Sequence, residues 1–330
     1  MRISFYGNNK KWGGLGNQGG SRTILLSAQT LREMGHIVEV VACNDRFTWF
    51  DHPKIKHEVS KDTDVIIAIS ISDAKEIMNQ YPDKRLFYWA RPFECDTEGQ
   101  KWQMSEEKCM RTLFKLHRKG GIIMVNSGWQ HNWLNMHKIN NHLVYSGQDI
   151  EREMLKPDFY ETNSILKPKV NLVIGCQYSS KPRKGWKEFK KIVEILGDKY
   201  DYVAFGSEKC KDKFLSTYLR NPPREKLNEF YQQMDVFVCS SSLEGFYNPG
   251  VEASVNGCLL LCNNNTRNGC SDYATRETSH IYNSQYLNCN EILNIFDHLD
   301  FAKVEKCQKL IQEKIGTRSK NMKKMVRVLK

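Results

Sequence analysis

The stretch that most restricts this chain is Met234 to Cys262, read M-D-V-F-V-C-S-S-S-L-E-G-F-Y-N-P-G-V-E-A-S-V-N-G-C-L-L-L-C. Val236 to Cys239 is short and wholly apolar, as suits a strand buried on both faces of a parallel sheet. Three serines end it. Asn248-Pro249 then reads as a helix N-cap followed by proline in the first turn, where its missing N–H costs nothing. The helix carries Glu252 early and stops at Gly257, and Cys258 to Cys262 gives a second buried strand. A strand–loop–helix–strand unit of this kind presents free N–H groups and a helix's positive end at the carboxyl edge of a sheet. Phosphorylated ligands bind at such edges. Glu244 and Glu252 lie beside that anion site, and carboxylates there suit a ligand that also carries hydroxyls, because each can accept two hydrogen bonds from a diol.

With 330 residues the chain has room for two domains of ordinary size. No apolar run reaches the roughly 18 residues of a membrane span, and the N-terminus lacks a signal peptide's apolar core. The eleven cysteines are scattered without a C-x-x-C pair. That spacing predicts reduced thiols in a cytoplasm rather than a disulfide or zinc framework. The formal net charge of +11 suits an anionic donor, an anionic membrane surface or a nucleic-acid acceptor, and does not choose among them.

From the N-terminus, Arg2 to Tyr6 reads as a strand, Ser21 to Met34 as an amphipathic helix and Ile37 to Ala42 as a second strand, with a glycine-rich loop between the first two elements. Gly14, Gly16 and Gly19 spell G-x-G-x-x-G with Glu39 further on, the pattern of a nicotinamide-dependent oxidoreductase, although Gly7 to Gly13 displace it from the strand where that fingerprint needs a tight turn. Asp62-Thr63-Asp64 precedes the strand Val65 to Ile69 and so falls at the amino edge, away from a ligand. Leu86 to Ala90 is a strand whose exit, Arg91-Pro92-Phe93-Glu94, directs Arg91 and Glu94 towards an interdomain cleft. Ser127 is placed to cap the helix after the strand Ile122 to Asn126, and His131, Trp133 and His137 on that helix read as packing and surface. Residues 151–169 lack any period and read as a linker. The second domain opens with the strand from Val170 to Cys176, the basic loop Lys181-Pro182-Arg183-Lys184-Gly185, and the helix Trp186 to Leu196; such a loop suits a diphosphate clamp.

The run E-G-F-Y-N-P-G-V-E-A from Glu244 to Ala253 resembles the E-G-F-G-x-P-x-x-E-A signature of retaining GT-B glycosyltransferases of family 4. The resemblance extends in order over most of the chain. It implies an α/β fold of two Rossmann-like domains facing across a cleft, residues 1–150 and 170–310, with a basic C-terminal helix over 311–330 crossing back to the first. It also implies metal-independent transfer of a sugar from a nucleotide-diphosphate donor to an acceptor hydroxyl, with retention and with no cofactor beyond that co-substrate. Donor contacts would come from Gly19, Gly20, Arg183, Lys184, Phe246, Tyr247, Asn248, Pro249, Gly250, Glu244 for the sugar and Glu252 for the ribose. Lys184 and Glu244 would carry the catalysis, and Arg91, Glu94 and Ser127 would touch acceptor or phosphate. Ser179 stands where the family has its diphosphate arginine, with Lys181 or Arg183 as substitutes, and Tyr247 stands at a family glycine. The acceptor implied is a glycan or lipid-linked saccharide. Other readings stay open: a DNA-base glycosyltransferase, an oxidoreductase using Gly14, Gly16 and Gly19, a non-catalytic nucleotide-sugar or nucleic-acid binding protein, and contact of the basic helix with an anionic membrane.

Overall fold

The computed structural model describes residues 1–8, 14–17, 19–91, 95–96, 104–148 and 171–330. Glu94 and the expected linker over 151–169 lie outside these residues. The chain divides into two units, Met1–Gln148 with Arg318–Lys330, and Asp149–Thr317.

The strands of the first unit are β1 (Arg2–Gly7), β2 (Ile37–Ala42), β3 (Val65–Ala68), β4 (Arg85–Ala90), a two-residue ladder of β5 (Cys95–Asp96) and β6 (Met104–Ser105), then β7 (Ile122–Val125) and β8 (Asn141–Leu143). All pairings are parallel, in the order β2-β1-β3-β4-β7-β8 for the main sheet. The helices are α1 (Gly19–Glu33), α2 (Ile71–Gln80), α3 (Glu106–Arg118) and α4 (Gly128–Met136). β3 is buried along its whole length, as its lack of alternation foretold.

The second unit holds β9 (Val173–Tyr178), α5 (Trp186–Leu196), β10 (Asp201–Gly206), β11 (Thr217–Arg220), α6 (Arg224–Gln232), β12 (Val236–Cys239), α7 (Asn248–Val255), β13 (Leu259–Asn263), β14 (His280–Tyr282), α8 (Cys289–Asp297) and α9 (Ala302–Leu310). Its sheet is parallel throughout, in the order β11-β10-β9-β12-β13-β14. Strand order therefore reverses between β9 and β12, and the loops leaving those two strands open a crevice at the carboxyl edge.

The last helix, α10 (Arg318–Leu329), follows Gly316, whose φ of +69° breaks the path from the preceding π-helical turn at Ile311–Ile315. It belongs to the first unit: Met322, Met325 and Leu329 join the core of Leu31, Val38 and Val40. Arg318 donates to the carbonyl of Ser146 at 3.2 Å and its N–H to that of Gln148 at 3.1 Å. The helix thus returns to the first domain, as expected. Cys109 of α3 is disulfide-bonded, which corrects the expectation of reduced thiols throughout; sequence spacing does not report which segments a fold brings together. Among the described residues no helix is long and apolar enough to cross a membrane.

Candidate functional site

Three of the charged residues nominated from the sequence, Arg183, Lys184 and Glu244, converge where the strand order of the second sheet reverses. After β9 the chain makes a single 3-10 turn, Pro182–Lys184, and then Gly185 at φ +73°. A Cβ on Gly185 would stand 1.9 Å from the Ser240 carbonyl oxygen, so only glycine lets this turn cross the loop after β12. The crossing is sealed by hydrogen bonds: Ser242 N–H donates to the Arg183 carbonyl at 2.8 Å, Ser240 Oγ to that of Lys184 at 3.2 Å, and Arg183 Nη1 to that of Leu243 at 2.9 Å. Glu244 sits at the centre. Its Oε1 is 2.6 Å from Lys184 Nζ and 3.2 Å from Arg183 Nη1. Burial pushes the Glu244 pKa up, but the Lys184 ammonium and then the Arg183 guanidinium outweigh it and hold the carboxyl below its ordinary value. Lys181 is near enough for burial and these two cations to lower its own pKa.

The loop after β13 supports Glu244 from beneath. Glu244 N–H donates to the Arg267 carbonyl at 2.9 Å, and Tyr247 N–H to that of Gly269 at 3.3 Å. Gly269 has φ +76°, and a Cβ there would stand 2.8 Å from Tyr247 N. Asn268 fastens this loop to β13 through the Asn263 carbonyl and side chain, at 3.0 and 2.9 Å. Phe246 and Tyr247 are buried. The Tyr247 ring lies 5.9 Å from Lys184 Nζ, a cation–π distance, while its carbonyl accepts from Tyr273 Oη at 2.6 Å. Helix α7 starts at Asn248, with Tyr247 in the N-cap position and no side-chain cap. This corrects the assignment of Asn248 as cap: it is the first helical residue, and its N–H bonds the Phe246 carbonyl, ahead of the helix, at 3.2 Å. Pro249 and Gly250 follow in that turn.

Glu252 points to the other side of α7. Its Oε2 lies 2.9 Å from Arg224 Nη1 at the start of α6, and Tyr231 Oη donates to it at 3.3 Å. Sequence reasoning missed Arg224. The signal available was weak, an arginine just after Pro222-Pro223, at the first position of a helix. The Ser179 hydroxyl donates to Glu208 Oε1 at 2.9 Å.

In the first unit, Gly19 and Gly20 open α1 and are exposed. Arg91 donates from Nη1 to the Gly20 carbonyl and from Nη2 to the Ile69 carbonyl, the latter at 3.2 Å. It therefore joins the start of α1 to the end of β3. Ser127 occupies the N-cap position of α4, but its hydroxyl donates to Gln130 Oε1 at 3.0 Å rather than capping a backbone N–H. Glu39, the acid of the oxidoreductase pattern, is held by Lys56 Nζ at 2.8 Å, Ser60 Oγ at 2.6 Å, Thr63 Oγ1 at 3.1 Å and the Ser4 hydroxyl. Burial opposes its ionisation, yet Lys56, Ser4 and Ser60 bring its pKa down to about 2. Its acceptor capacity is thus committed to the fold. Asp62 pairs with Arg2 at 2.7 Å, and Asp64 accepts from the Arg2 N–H at 2.7 Å, consistent with a solvated strand start.

No protein-family model matches this sequence, and neither does any curated protein sequence. Solved structures do match. Sucrose-phosphate synthase from Thermosynechococcus elongatus superposes with a TM-score of 0.75 at 13% identity, over 99% of this chain and 98% of that one. The fold is GT-B. Anabaena HepE in complex with UDP and glucose aligns over 100% of this chain and 99% of its own, with a TM-score of 0.72 at 14% identity. An apo structure of OtsA gives a TM-score of 0.68 at 9% identity over 100% and 99% of the two chains. Two six-stranded parallel sheets of the GT-B kind thus place the Lys184–Glu244 cluster at a strand-order reversal.

Proposed function

We propose that the chain transfers a sugar from a nucleoside-diphosphate donor to an acceptor hydroxyl, with retention of anomeric configuration and without a divalent ion at the diphosphate. The observation that carries this reading is the cluster of Lys184, Arg183 and Glu244 at the reversal point, beside the N-terminus of α7. Two cations and one carboxylate leave a net charge of +1 among these residues, and Lys181 and the helix end add to it. As the bond from the anomeric carbon to the diphosphate oxygen breaks, both electrons stay on that oxygen. Lys184, Arg183 and the first-turn N–H groups of α7 would stabilise the charge, as a divalent ion does elsewhere. The departing phosphate takes the acceptor's proton while the acceptor oxygen bonds to the anomeric carbon on the same face, so no side chain has to act as base. Glu244 would receive hydroxyls of the donor sugar, and Glu252, oriented by Arg224 and Tyr231, those of the ribose. HepE has been solved with UDP-glucose, which makes UDP-glucose the first donor to try here. The acceptor class most in keeping with the reading is a glycan or a lipid-linked saccharide.

Release of nucleotide from UDP-, GDP- and ADP-sugars, with and without EDTA, tests the proposal. Chelator-resistant turnover of one donor, reduced at least about 100-fold in Lys184→Ala and in Glu252→Ala, supports it. Binding without turnover across candidate acceptors turns the assignment towards a sugar-nucleotide binding protein, and no binding at all overturns it.

A second contact is supported by Lys320, Lys323, Lys324 and Arg327, exposed on α10, and by exposed Lys330 just after it. Such a face suits an anionic membrane surface. Co-sedimentation with anionic but not neutral vesicles, weakening with salt, is the expected result; preference for duplex DNA with a steep salt slope would favour a DNA acceptor instead.

A further inference from the structure

Three cysteines that are distant in sequence meet inside the second unit. Cys239 ends β12, Cys262 is its register partner in β13, and Cys270 enters from the loop after β13. Their Sγ atoms all lie within 4.8 Å of one another, and each residue is at most 1% exposed. The loop is built to deliver Cys270: its N–H donates to Asn268 Oδ1 at 2.8 Å, and Asn268 is itself fastened to Asn263. Gly250, in the first turn of α7, lies directly over the group, for a Cβ there would stand 3.1 Å from Cys239 Sγ. The positive end of a helix eases ionisation of a nearby thiol.

We propose that Cys239, Cys262 and Cys270 form a three-sulfur site for a thiophilic d10 metal ion, Cu(I) or Zn(II). Each thiol releases its proton to solvent as its sulfur bonds to the ion, and no oxidation state changes. Around an ion about 2.3 Å from each sulfur, three sulfurs in one plane lie about 4 Å apart, within the observed spacing. Among the described residues no fourth histidine, cysteine or carboxylate joins the group. Three soft ligands suit Cu(I) better than Zn(II), which takes four in structural sites. The ion would join β12 to β13 and to the loop whose Arg267 and Gly269 carbonyls hold Glu244 and Tyr247. Its place is therefore beneath the donor site rather than in it.

The full chain, purified anaerobically under reducing conditions, is loaded with Cu(I) or with Zn(II), desalted, and assayed for metal by mass spectrometry. One ion per chain is expected in one arm, and that arm names the metal. Loading should raise the Tm by several degrees, and X-ray absorption should count three sulfurs. Uptake should be lost in Cys270→Ser and in Cys262→Ser and kept in Cys289→Ser, whose thiol is exposed. Should the serine variants fail to fold, Cys270→Ala and the sulfur count on the wild-type chain decide. Substoichiometric uptake, uptake unchanged in a folded Cys270 variant, or a ligand set other than three sulfurs overturns the proposal and leaves the cysteines as apolar packing. None of these readings requires donor, so the result stands apart from that of the nucleotide-release assay.

Discussion

The first sheet and the second share a doubly wound, parallel architecture, yet they use their charges in opposite ways. Arg91 in the first unit donates to the backbone carbonyls of Gly20 and Ile69, and Glu39 accepts from Lys56, Ser60, Thr63 and Ser4. Partners of this kind are fixed by the fold, and a ligand gains little by competing with them. In the second unit Lys184 and Arg183 share the single oxygen Glu244 Oε1. Two cations on one carboxylate are under-neutralised, and on the proposed reading an incoming diphosphate would take over part of the lysine's coordination without unfolding anything. The topology supplies an edge in both units; the allocation of side chains is what makes the second edge the candidate site.

Stability and activity measured on the same variants separate the two sheets most directly. Lys184→Ala is expected to lower kcat/KM by about 100- to 1,000-fold, about 3–4 kcal/mol of transition-state stabilisation, with the Tm close to that of the wild type. A Tm collapse in this variant would make the cluster a structural device like Glu39. Gly185→Ala should destabilise by about 3 kcal/mol, because the new methyl meets the Ser240 carbonyl and the φ is unfavourable for alanine; urea unfolding measures this. Glu39→Gln is expected to cost about 2 kcal/mol while leaving donor affinity unchanged, and a loss of affinity would reopen the first sheet as a ligand site.

The Glu39 carboxyl also makes the first unit's stability depend on pH. Its folded pKa of about 2 lies below the ordinary 4.5, so the unfolded chain binds its proton first as the solution is acidified. The stabilisation is complete above about pH 4.5 and is lost as pH falls towards 2. Glu39→Gln should therefore show a flatter loss of stability than the wild type over that window. The smallest effect belongs to α10, where Lys323→Ala should change stability by less than about 0.5 kcal/mol while weakening any binding to anionic vesicles.

Much of the fold could be read from the chain because its central strands are continuous apolar runs, as in Val65–Ala68 and Val236–Cys239, and because glycines mark the turns between them. Edge strands such as Thr217–Arg220 and His280–Tyr282 are short and largely half-exposed or exposed, so no hydrophobic pattern announces them. Lys184 and Glu244 were each visible through local motifs, but their contact depends on a crossing between loops sixty positions apart in the sequence. The Arg224–Glu252 pair and the convergence of Cys239, Cys262 and Cys270 were hidden for the same reason. Spacing along a chain says nothing about segments that only strand order brings together.

Helix α10 carries a consequence for how the protein is made. The core of the first unit includes Met322, Met325 and Leu329, which leave the ribosome only after the whole second unit has been synthesised. The second unit has its own core of residues between Ile174 and Phe296 and can close first, while the earlier-born unit waits with an open apolar face under α1. On this layout the first unit is expected to complete its core last, although its first residue is translated first. Until α10 docks, the nascent first unit is the part of the molecule that a chaperone or a protease will find.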